Sequence, residues 1–384
     1  MNFACLPKPK LLSVVLLLCG GLLLPFVAAA APPPLPPGPV AAARLPEPGA
    51  RARVSEAVAS AVQAPGGEPP APAAVQADGN GWDWRYADWL AGLRVEALAE
   101  GISPATFDTA LAGVVPLPEV LASDRNQPEL KLGLEPYLAR VVTGRRVATG
   151  REMLRSHQHL LEEINARYRV EPRFLVALWG VESDYGRITG DIPVIGALVT
   201  LAYDPRRAGY FRKELLAALH LLGEHRLPAD DLRGSWAGAM GGLQFMPSVF
   251  RRFAVDHDGD GQVDVWRDSG DLFATGAAYL AASGWRGGQE WGCEVRLTRP
   301  VAPELLGHGQ RLSLEQWAGH GVAALDGRPL SGKPEQAGSL LVPDSASGRA
   351  FLVYENFQVL RKWNRSDLYA LAVSLLADRL AAAE

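Results

Sequence analysis

The stretch from residue 172 to residue 185, PRFLVALWGVESDY, is the most informative part of the chain for its fold. Leu175, Leu178 and Trp179 recur at the spacing of one helical face, which predicts an amphipathic helix. Glu182 lies seven residues after Leu175 and four after Leu178, so its carboxylate falls on or beside the apolar face, at the C-terminal end of the helix. The stretch therefore predicts a core helix that carries one carboxylate.

Glu182 is predicted to hold its proton near neutral pH. The helix dipole disfavours an anion at the C-terminal end of a helix, and apolar neighbours raise the pKa of a carboxyl group. A general acid needs such a pKa, although a surface glutamate would explain the position equally well. Asp184 follows two residues later and is predicted to be a solvated turn residue that points elsewhere.

The flanking sequence is helical before this stretch and mixed after it. Helical spacing runs from Trp82 to about Ala148, with a capped start at Ser103, and a longer helix is predicted from Gly150 to Tyr168. Three short runs read as strands, and helical spacing returns at Ser366. The fold class is therefore predicted to be α+β and predominantly helical, with the strands at residues 294–298, 339–342 and 351–354.

The first eighty residues are predicted to lie outside the folded domain. Lys8 and Lys10 precede an apolar run and the small residues 28–30, which predicts a signal peptide over 1–30 and a periplasmic protein. A membrane anchor is an alternative, although the run is short for a span. A lipoprotein is another, although Leu18 before Cys19 is bulkier than lipidation signals want. Residues 31–80 are rich in Ala and Pro and are predicted to be a disordered linker.

Composition excludes some classes of function. The chain has 384 residues, enough for one large or two smaller domains, and a formal net charge of −4. The chain is therefore not polycationic, and its charge gives no indication of nucleic-acid binding. Of the three cysteines, Cys5 and Cys19 fall in the signal segment, so Cys293 alone would remain and no internal disulfide is predicted.

A glycine-rich segment, GSWAGAMGGLQFMPS at residues 234–248, combines amide, hydroxyl and aromatic side chains. This mixture suits a cleft for sugars, because apolar faces stack on rings and amides bond hydroxyl groups. A structural turn that leads into a helix explains the composition equally well. No Lys-Ser or Lys-Thr pair follows the glycines, which argues against a phosphate loop.

The acidic loop DHDGDGQVD at residues 256–264 matches a calcium-binding loop of the EF-hand type. It has acidic residues at loop positions one, three, five and nine and glycine at six. Position twelve is Arg267 instead of glutamate, so Asp268 or Asp271 would have to complete the ligand shell. An acidic surface turn without metal is the alternative.

A further cluster lies near the C-terminus, at residues 354–357, 363–366 and Tyr369. By spacing alone it is a polar helix start with aromatic residues, and capping would explain it.

Together these motifs resemble the lytic murein transglycosylase B family, from about Trp82 to the C-terminus. The resemblance is carried by GIS at 101–103, DRNQP at 124–128, WGVES at 179–183, QFMP at 244–247, the acidic loop and NRS at 364–366. It implies one catalytic domain over 82–384 with a lysozyme-like core at 149–290, which includes the loop 256–271. It also implies a helical region at 82–148, a small β region at 292–354, and a C-terminal helix at 355–384 that returns to the core.

The resemblance also assigns site residues. The family's catalytic glutamate falls on Glu182, and its substrate-binding cleft residues fall on Ser235, Gln244, Phe245, Met246, Tyr279, Asn364 and Tyr369. Its structural Ca²⁺ site falls on Asp256, Asp258, Asp260, Gln262 through its carbonyl, and Asp271. No organic cofactor is implied. Gly242 and Leu243 depart from the family pattern, so the loop is expected to differ locally in shape.

The implied reaction is non-hydrolytic cleavage of the β-1,4 bond between N-acetylmuramic acid and N-acetylglucosamine, giving 1,6-anhydro ends. Glycosidases ordinarily use two carboxylates, and the sequence offers Glu182 alone. The expected partners are peptidoglycan glycan strands and proteins of cell-wall synthesis or remodelling. A hydrolytic muramidase and a catalytically silent peptidoglycan-binding protein are the alternatives.

Overall fold

Short helices dominate the N-terminal part of the described chain. A computed structural model describes residues 84–126, 132–224, 232–330, 332, 336–344 and 348–382. The predicted signal peptide and linker, residues 1–80, lie outside the described residues. The first six helices are α1 Trp84–Ala99, α2 Pro104–Ala110, α3 Pro118–Arg125, α4 Leu134–Val141, α5 Gly144–Ser156 and α6 Gln158–Tyr168. The capped start at Ser103 is confirmed, because its hydroxyl accepts from the Thr106 amide at 3.0 Å.

The single helix predicted over residues 150–168 is wrong, since α5 and α6 meet at a break at His157. His157 has φ −110° and ψ 17°. Its imidazole packs edge-on against Trp179 and Phe273, each at 5.7 Å between ring centroids. Its Nε2 lies 3.2 Å from the Ser269 hydroxyl. Tertiary packing of this ring accompanies the break, which the apolar spacing of the segment did not indicate.

The predicted core helix is α7, Pro172–Ser183, and every residue from Phe174 to Ser183 is buried. Two left-handed residues end it, Asp184 at φ 53° and Tyr185 at φ 63°. The elements that follow are β1 Ile192–Pro193, α8 Val194–Tyr203, α9 Ala208–Gly223, β2 Arg233–Gly234, α10 Pro247–Phe253 and α11 Ser269–Ala282. Strands β1 and β2 pair antiparallel, with Ile192 opposite Gly234.

A small antiparallel sheet follows, and it confirms the three predicted strands to within a few residues. Its elements are β3 Gly292–Leu297, β4 Leu312–Ser313, β5 Val322–Ala324, β6 Ala337–Leu341 and β7 Ala350–Val353, with α12 Leu314–Gly319 between β4 and β5. The order is β4-β6-β7-β3-β5. Side chains alternate between faces, so Phe351 and Val353 join the main core. Leu352 joins a smaller cluster around Trp317.

The segment 355–384, which the family resemblance implies to be one helix, contains two helices in its described part, α13 Glu355–Trp363 and α14 Asp367–Ala381. The break lies at Asn364, which has φ −143° and ψ 124°. Its side-chain oxygen accepts from the Ser366 amide at 3.1 Å, and Ser366 caps α14 as predicted. Helix α14 packs against α7. No helix in the described part of the chain is long and apolar enough to cross a membrane.

Candidate active site

Glu182 lies in the last turn of α7 and is only 5% exposed. The surface position left open by the sequence is therefore wrong for this residue. The helix buries the whole of its C-terminal half, because α5 and α14 both pack against it. The carboxyl group is thus removed from bulk water.

Two donors from the C-terminal helices contact one oxygen of Glu182. The Tyr369 hydroxyl donates to Oε1 at 2.5 Å, and the Trp363 indole Nε1 donates to the same atom at 3.0 Å. Trp363 ends α13 and Tyr369 lies in the first turn of α14. The break at Asn364 therefore brings both donors to the same carboxyl group.

Burial raises the pKa of Glu182 to about 8 and outweighs the two hydrogen bonds, which lower it. The predicted direction of the shift is therefore confirmed. Both donors are neutral, since burial raises the pKa of the Tyr369 phenol well above its usual value and an indole does not ionise. At pH 7 the group is mostly protonated, and it is still able to ionise.

Asp184 is not the solvated turn residue that the sequence predicted, because it is only 5% exposed. Its carboxylate lies 3.0 Å from Arg145 and 3.1 Å from Arg187, and Arg146 is at 3.7 Å. A buried charge needs partners of this kind, and three guanidinium groups supply them. The prediction that Asp184 points away from Glu182 agrees with these contacts.

The glycine-rich segment forms a tight buried loop beside α7. Met240 and Phe245 exchange backbone hydrogen bonds at 2.9 and 2.8 Å, and the Ser235 hydroxyl accepts from the Ala239 amide at 3.1 Å. The Ser183 hydroxyl donates to the Gly242 carbonyl at 2.6 Å, which ties this loop to the helix of Glu182.

Gly242 and Leu243, the two residues that depart from the family pattern, fit the tight packing of this loop. A side chain on residue 242 would place its Cβ 2.9 Å from Trp179 Nε1, closer than real Cβ contacts, and 3.0 Å from Leu272, which is also tight. Leu243 is fully buried in the main core. Glycine at 242 therefore lets the loop lie against the Trp179 ring.

The side chain of Gln244 is held in one orientation by its nitrogen, and its oxygen has no hydrogen-bond partner among the described residues. It has a left-handed backbone at φ 53°, which is uncommon for a residue with a side chain. Its Nε2 donates to the Thr189 and Gly241 carbonyls, each at 2.9 Å. Its Oε1 is buried and has no hydrogen-bond partner among the described residues. Because buried acceptors are normally paired, this oxygen is suited to accept from a bound molecule.

Trp363 joins two of the predicted cleft residues. Its ring lies 5.5 Å from Phe245 and 5.0 Å from Tyr279, and the Tyr279 hydroxyl donates to the Lys362 carbonyl at 2.9 Å. From the sequence, Trp363 belongs to the cluster near the C-terminus and has no predicted role. The adjacent residue Asn364, which the family resemblance assigns to the cleft, is the sequence feature that points to this position.

The other predicted cleft residues have more local contacts. Asn364 is 9% exposed, and its amide oxygen bonds within its own turn. Met246 is 8% exposed and precedes α10 as its N-cap residue. The structure therefore joins Tyr369 to Glu182 directly and Phe245 and Tyr279 through Trp363. Ser235 and Gln244 lie in the loop tied to α7, and their roles stay predictions.

In the acidic loop, carboxylate oxygens of Asp256, Asp258 and Asp260 lie within 4.8 Å of one another. Asp271 is different, because it is buried and accepts from the His257 and Asp264 amides, each at 2.7 Å. It therefore braces the two ends of the loop. A cavity of about 360 Å³ is lined by Asp258, Asp260, Gln262, Asp264, Arg267, Asp268 and Asp271.

Comparison with known proteins gives consistent matches. A family model described as "Transglycosylase SLT domain" matches residues 85–378. Membrane-bound lytic murein transglycosylase B of Escherichia coli (strain K12) is 34% identical over 249 residues, covering 64% of this chain and 67% of that protein.

Solved structures agree with this match. SltB3 from Pseudomonas aeruginosa in complex with NAG-NAM-pentapeptide has 44% identity and a TM-score of 0.74, covering 78% of this chain and 80% of that chain. The Escherichia coli lytic transglycosylase Slt35 in complex with calcium has 30% identity and a TM-score of 0.67, covering 76% and 92%. The predicted family resemblance and lysozyme-like fold are thereby confirmed. The chain belongs to the transglycosylase SLT domain family of lytic murein transglycosylases.

Proposed function

We propose that this protein cleaves the β-1,4 bond between N-acetylmuramic acid and N-acetylglucosamine in peptidoglycan without water, leaving 1,6-anhydro ends, with Glu182 as the sole acid and base. The observation that carries this proposal is the environment of Glu182. A carboxyl group that is buried, has a pKa of about 8 and is held by two neutral donors can both give and recover a proton near neutral pH.

Among the described residues no second carboxylate shifts the pKa of Glu182, which supports a single acid and base. Burial and the two donors alone shift the pKa of Glu182, and no other carboxylate contributes among the described residues. The other buried carboxylates of the described chain have partners elsewhere. These are Asp124 with Arg206 and Arg207, Asp184 with its three arginines, Glu214 with Ser248, and Asp271 within its loop.

In this mechanism Glu182 alone gives and takes the proton. Protonated Glu182 gives its proton to the glycosidic oxygen as the bond to muramyl C1 breaks, and charge of oxocarbenium type develops on the sugar. The substrate's own acetamido group can stabilise this charge. Ionised Glu182 next takes the proton of the muramyl C6 hydroxyl as that oxygen bonds to C1. No water is consumed, and the enzyme returns to its protonated state.

Substrate recognition is proposed to use the residues around this carboxyl group. Gln244 can only accept at its open position, so it fits a hydroxyl or the N–H of an acetamido group. Phe245 and Tyr279 offer aromatic surface beside Trp363. The proposed cleft is completed by Ser235, Met246, Asn364 and Tyr369. The match to SltB3 in complex with NAG-NAM-pentapeptide supports glycan strands of peptidoglycan as the ligand.

Mass analysis of the digestion products tests the reaction. Purified peptidoglycan treated with the protein should give anhydro-muropeptides, because the C6 hydroxyl replaces water as the nucleophile. Products heavier by one water would instead identify a hydrolytic muramidase. Binding to peptidoglycan without any cleavage would identify a silent binding protein.

We further propose a structural Ca²⁺ site at the acidic loop. Carboxylate oxygens are ligands that Ca²⁺ prefers, and Asp256, Asp258 and Asp260 place three of them together. The carbonyl of Gln262 and the carboxylate of Asp271 complete the proposed set. The match to Slt35 in complex with calcium supports this assignment. A bound ion would hold the segment between α10 and α11 and would take no part in the proton steps.

Removal of calcium is expected to lower the melting temperature. A ligand that binds only the native state stabilises it by about 2.7 kcal/mol when present at a hundred times its Kd. Calorimetry in chelator should show a lower Tm than in Ca²⁺, and Asp260→Asn should abolish the difference. Asp326→Asn, an exposed aspartate paired with Arg328 in the β region, is the matched control. Equal Tm values with and without Ca²⁺ would contradict a stabilising ion.

Location is proposed to be periplasmic, with export by the segment 1–30. The sequence pattern of this segment supports the proposal, and the relative named membrane-bound lytic murein transglycosylase B leaves membrane attachment as an alternative.

A further inference from the structure

The two oxygens of Glu182 have unequal surroundings. Oε1 accepts from both Tyr369 and Trp363, whereas no hydrogen bond to Oε2 is present among the described residues. We propose that Trp363 is a positioning residue which, together with Tyr369, fixes Oε1 as a permanent acceptor and leaves Oε2 as the oxygen that gives and recovers the proton. This inference rests on the proposed role of Glu182 as acid and base.

Trp363 determines where the proton is placed. An indole N–H donates and cannot accept, so Oε1 must direct a lone pair at Trp363 in every state of ionisation. The Tyr369 hydroxyl is fully buried, and Glu182 is its only hydrogen-bond partner among the described residues. Its proton is therefore directed at Oε1 as well. With both lone pairs of Oε1 engaged, the proton of the neutral carboxyl group belongs on Oε2.

The indole is held firmly enough to act in this way. Its ring contacts Phe245 on the glycine-rich loop and Tyr279 on α11. Tyr279 in turn bonds the carbonyl of Lys362, the residue before Trp363. Contacts from two separate segments thus fix the ring, and the end of α13 fixes its backbone. These contacts aim the N–H at Oε1, so little reorganisation is required.

The same arrangement serves both proton steps. In the first, Oε2 loses its proton to the glycosidic oxygen, and the negative charge that appears is stabilised at Oε1 by two hydrogen bonds. Hydrogen bonds to a charged acceptor are stronger than neutral ones, so the donors favour the ionised intermediate state. In the second step, Oε2 accepts the proton of the C6 hydroxyl, and Oε1 again becomes the carbonyl oxygen.

The test compares Trp363→Phe, which keeps an aromatic ring but removes the N–H together with the five-membered ring of the indole, with Tyr369→Phe. Loss of one donor should raise the pKa of Glu182 further, since each hydrogen bond lowers it. The alkaline limb of kcat/KM should therefore move up by about one pH unit in either variant, the effect of one hydrogen bond to a charged group. The double variant should move it further.

Trp285→Phe is the matched control. Trp285 also donates its indole N–H to a glutamate, at 2.9 Å, but the acceptor is Glu171 and not Glu182. This variant should leave the pH profile unchanged. It also shows how much activity is lost when an indole bond to a carboxylate is removed elsewhere.

Infrared difference spectra between each variant and its Glu182→Gln counterpart give a readout that is independent of turnover. If Oε1 is the carbonyl oxygen, Trp363→Phe should raise the C=O stretching frequency of the protonated Glu182. An unchanged frequency together with an unchanged alkaline limb would show that Trp363 only packs, and would overturn the proposal. Full activity of Glu182→Gln would instead overturn the proposed function itself.

Discussion

Glu182→Gln is expected to lower the rate of glycan cleavage by about a thousand-fold, the contribution of one general acid. The amide can still accept from Tyr369 and Trp363, so the pocket keeps its contacts while the transferable proton is lost. Turnover of peptidoglycan or of a chromogenic chitin oligomer measures the effect. The wild-type kcat/KM should fall as the pH rises through about 8, where Glu182 loses its proton.

The same substitution is expected to stabilise the fold. The pKa of Glu182 is raised from 4.5 in the unfolded chain to about 8 in the native state. Between these values the native state holds a proton that the unfolded state has released, so stability falls as the pH rises. The penalty is absent below pH 4.5, reaches about 3 kcal/mol at pH 7 and is complete above pH 8. Urea unfolding at pH 4.5 and pH 7 should show a gain for the variant only at pH 7.

Glu214→Gln is the control for the cleavage measurement. Glu214 is also 5% exposed, and burial raises its pKa, but its carboxylate bonds Ser248 and not the proposed site. This variant should keep most of the cleavage activity. Comparable losses in the two variants would show that Glu182 acts through folding and not through proton transfer.

Gly190→Ala is expected to cost about 3 kcal/mol or more of unfolding free energy and to reduce cleavage. Gly190 has φ +90°, and an added Cβ would lie 2.1 Å from the Gly234 carbonyl oxygen and 2.6 Å from the Ser235 amide. Both neighbours are backbone atoms, so neither can rotate away. Strain from the left-handed backbone adds about 1–2 kcal/mol, and the overlap adds at least as much. Chemical denaturation and turnover measure the two effects.

Gly101→Ala separates the two contributions. Gly101 has φ +89°, and no atom of the described residues lies within 4 Å of its added Cβ. This variant therefore carries the backbone strain without the overlap and should lose about 1–2 kcal/mol. Equal losses at both positions would contradict the idea that close backbone approach at Gly190 holds the Ser235 loop in place.

The sequence predicted well what local spacing determines. Helix α7 and the place of Glu182 on it followed from the spacing of Leu175 and Leu178. The capped starts at Ser103 and Ser366 followed from residues that accept from the first helical turn. In each case the interacting residues lie within a few positions of one another, so the local sequence pattern predicts the structure.

Contacts between distant segments were not predictable in this way. The breaks at His157 and Asn364 fall within or beside segments with helical spacing, and at His157 the ring packs on partners far along the chain. The sequence predicts Asp184 as a solvated turn residue, because its partners Arg145 and Arg146 lie nearly forty positions earlier and no local pattern indicates the ion pairs. Trp363 is 181 residues from Glu182, and no spacing connects them. Tyr369 entered the site only through the family resemblance.

The break between α13 and α14 also has a consequence for the order in which the site can form. Both donors to Glu182 come from residues 363 and 369, near the end of the chain. Chains are made from the N-terminus, so the residues of α7 are synthesised before either donor. A chain that is still growing, or one cut before residue 355, carries Glu182 without the groups that define its chemistry. The last two helices thus act as the completing step of assembly, and an unfinished protein has no complete proton-transfer site.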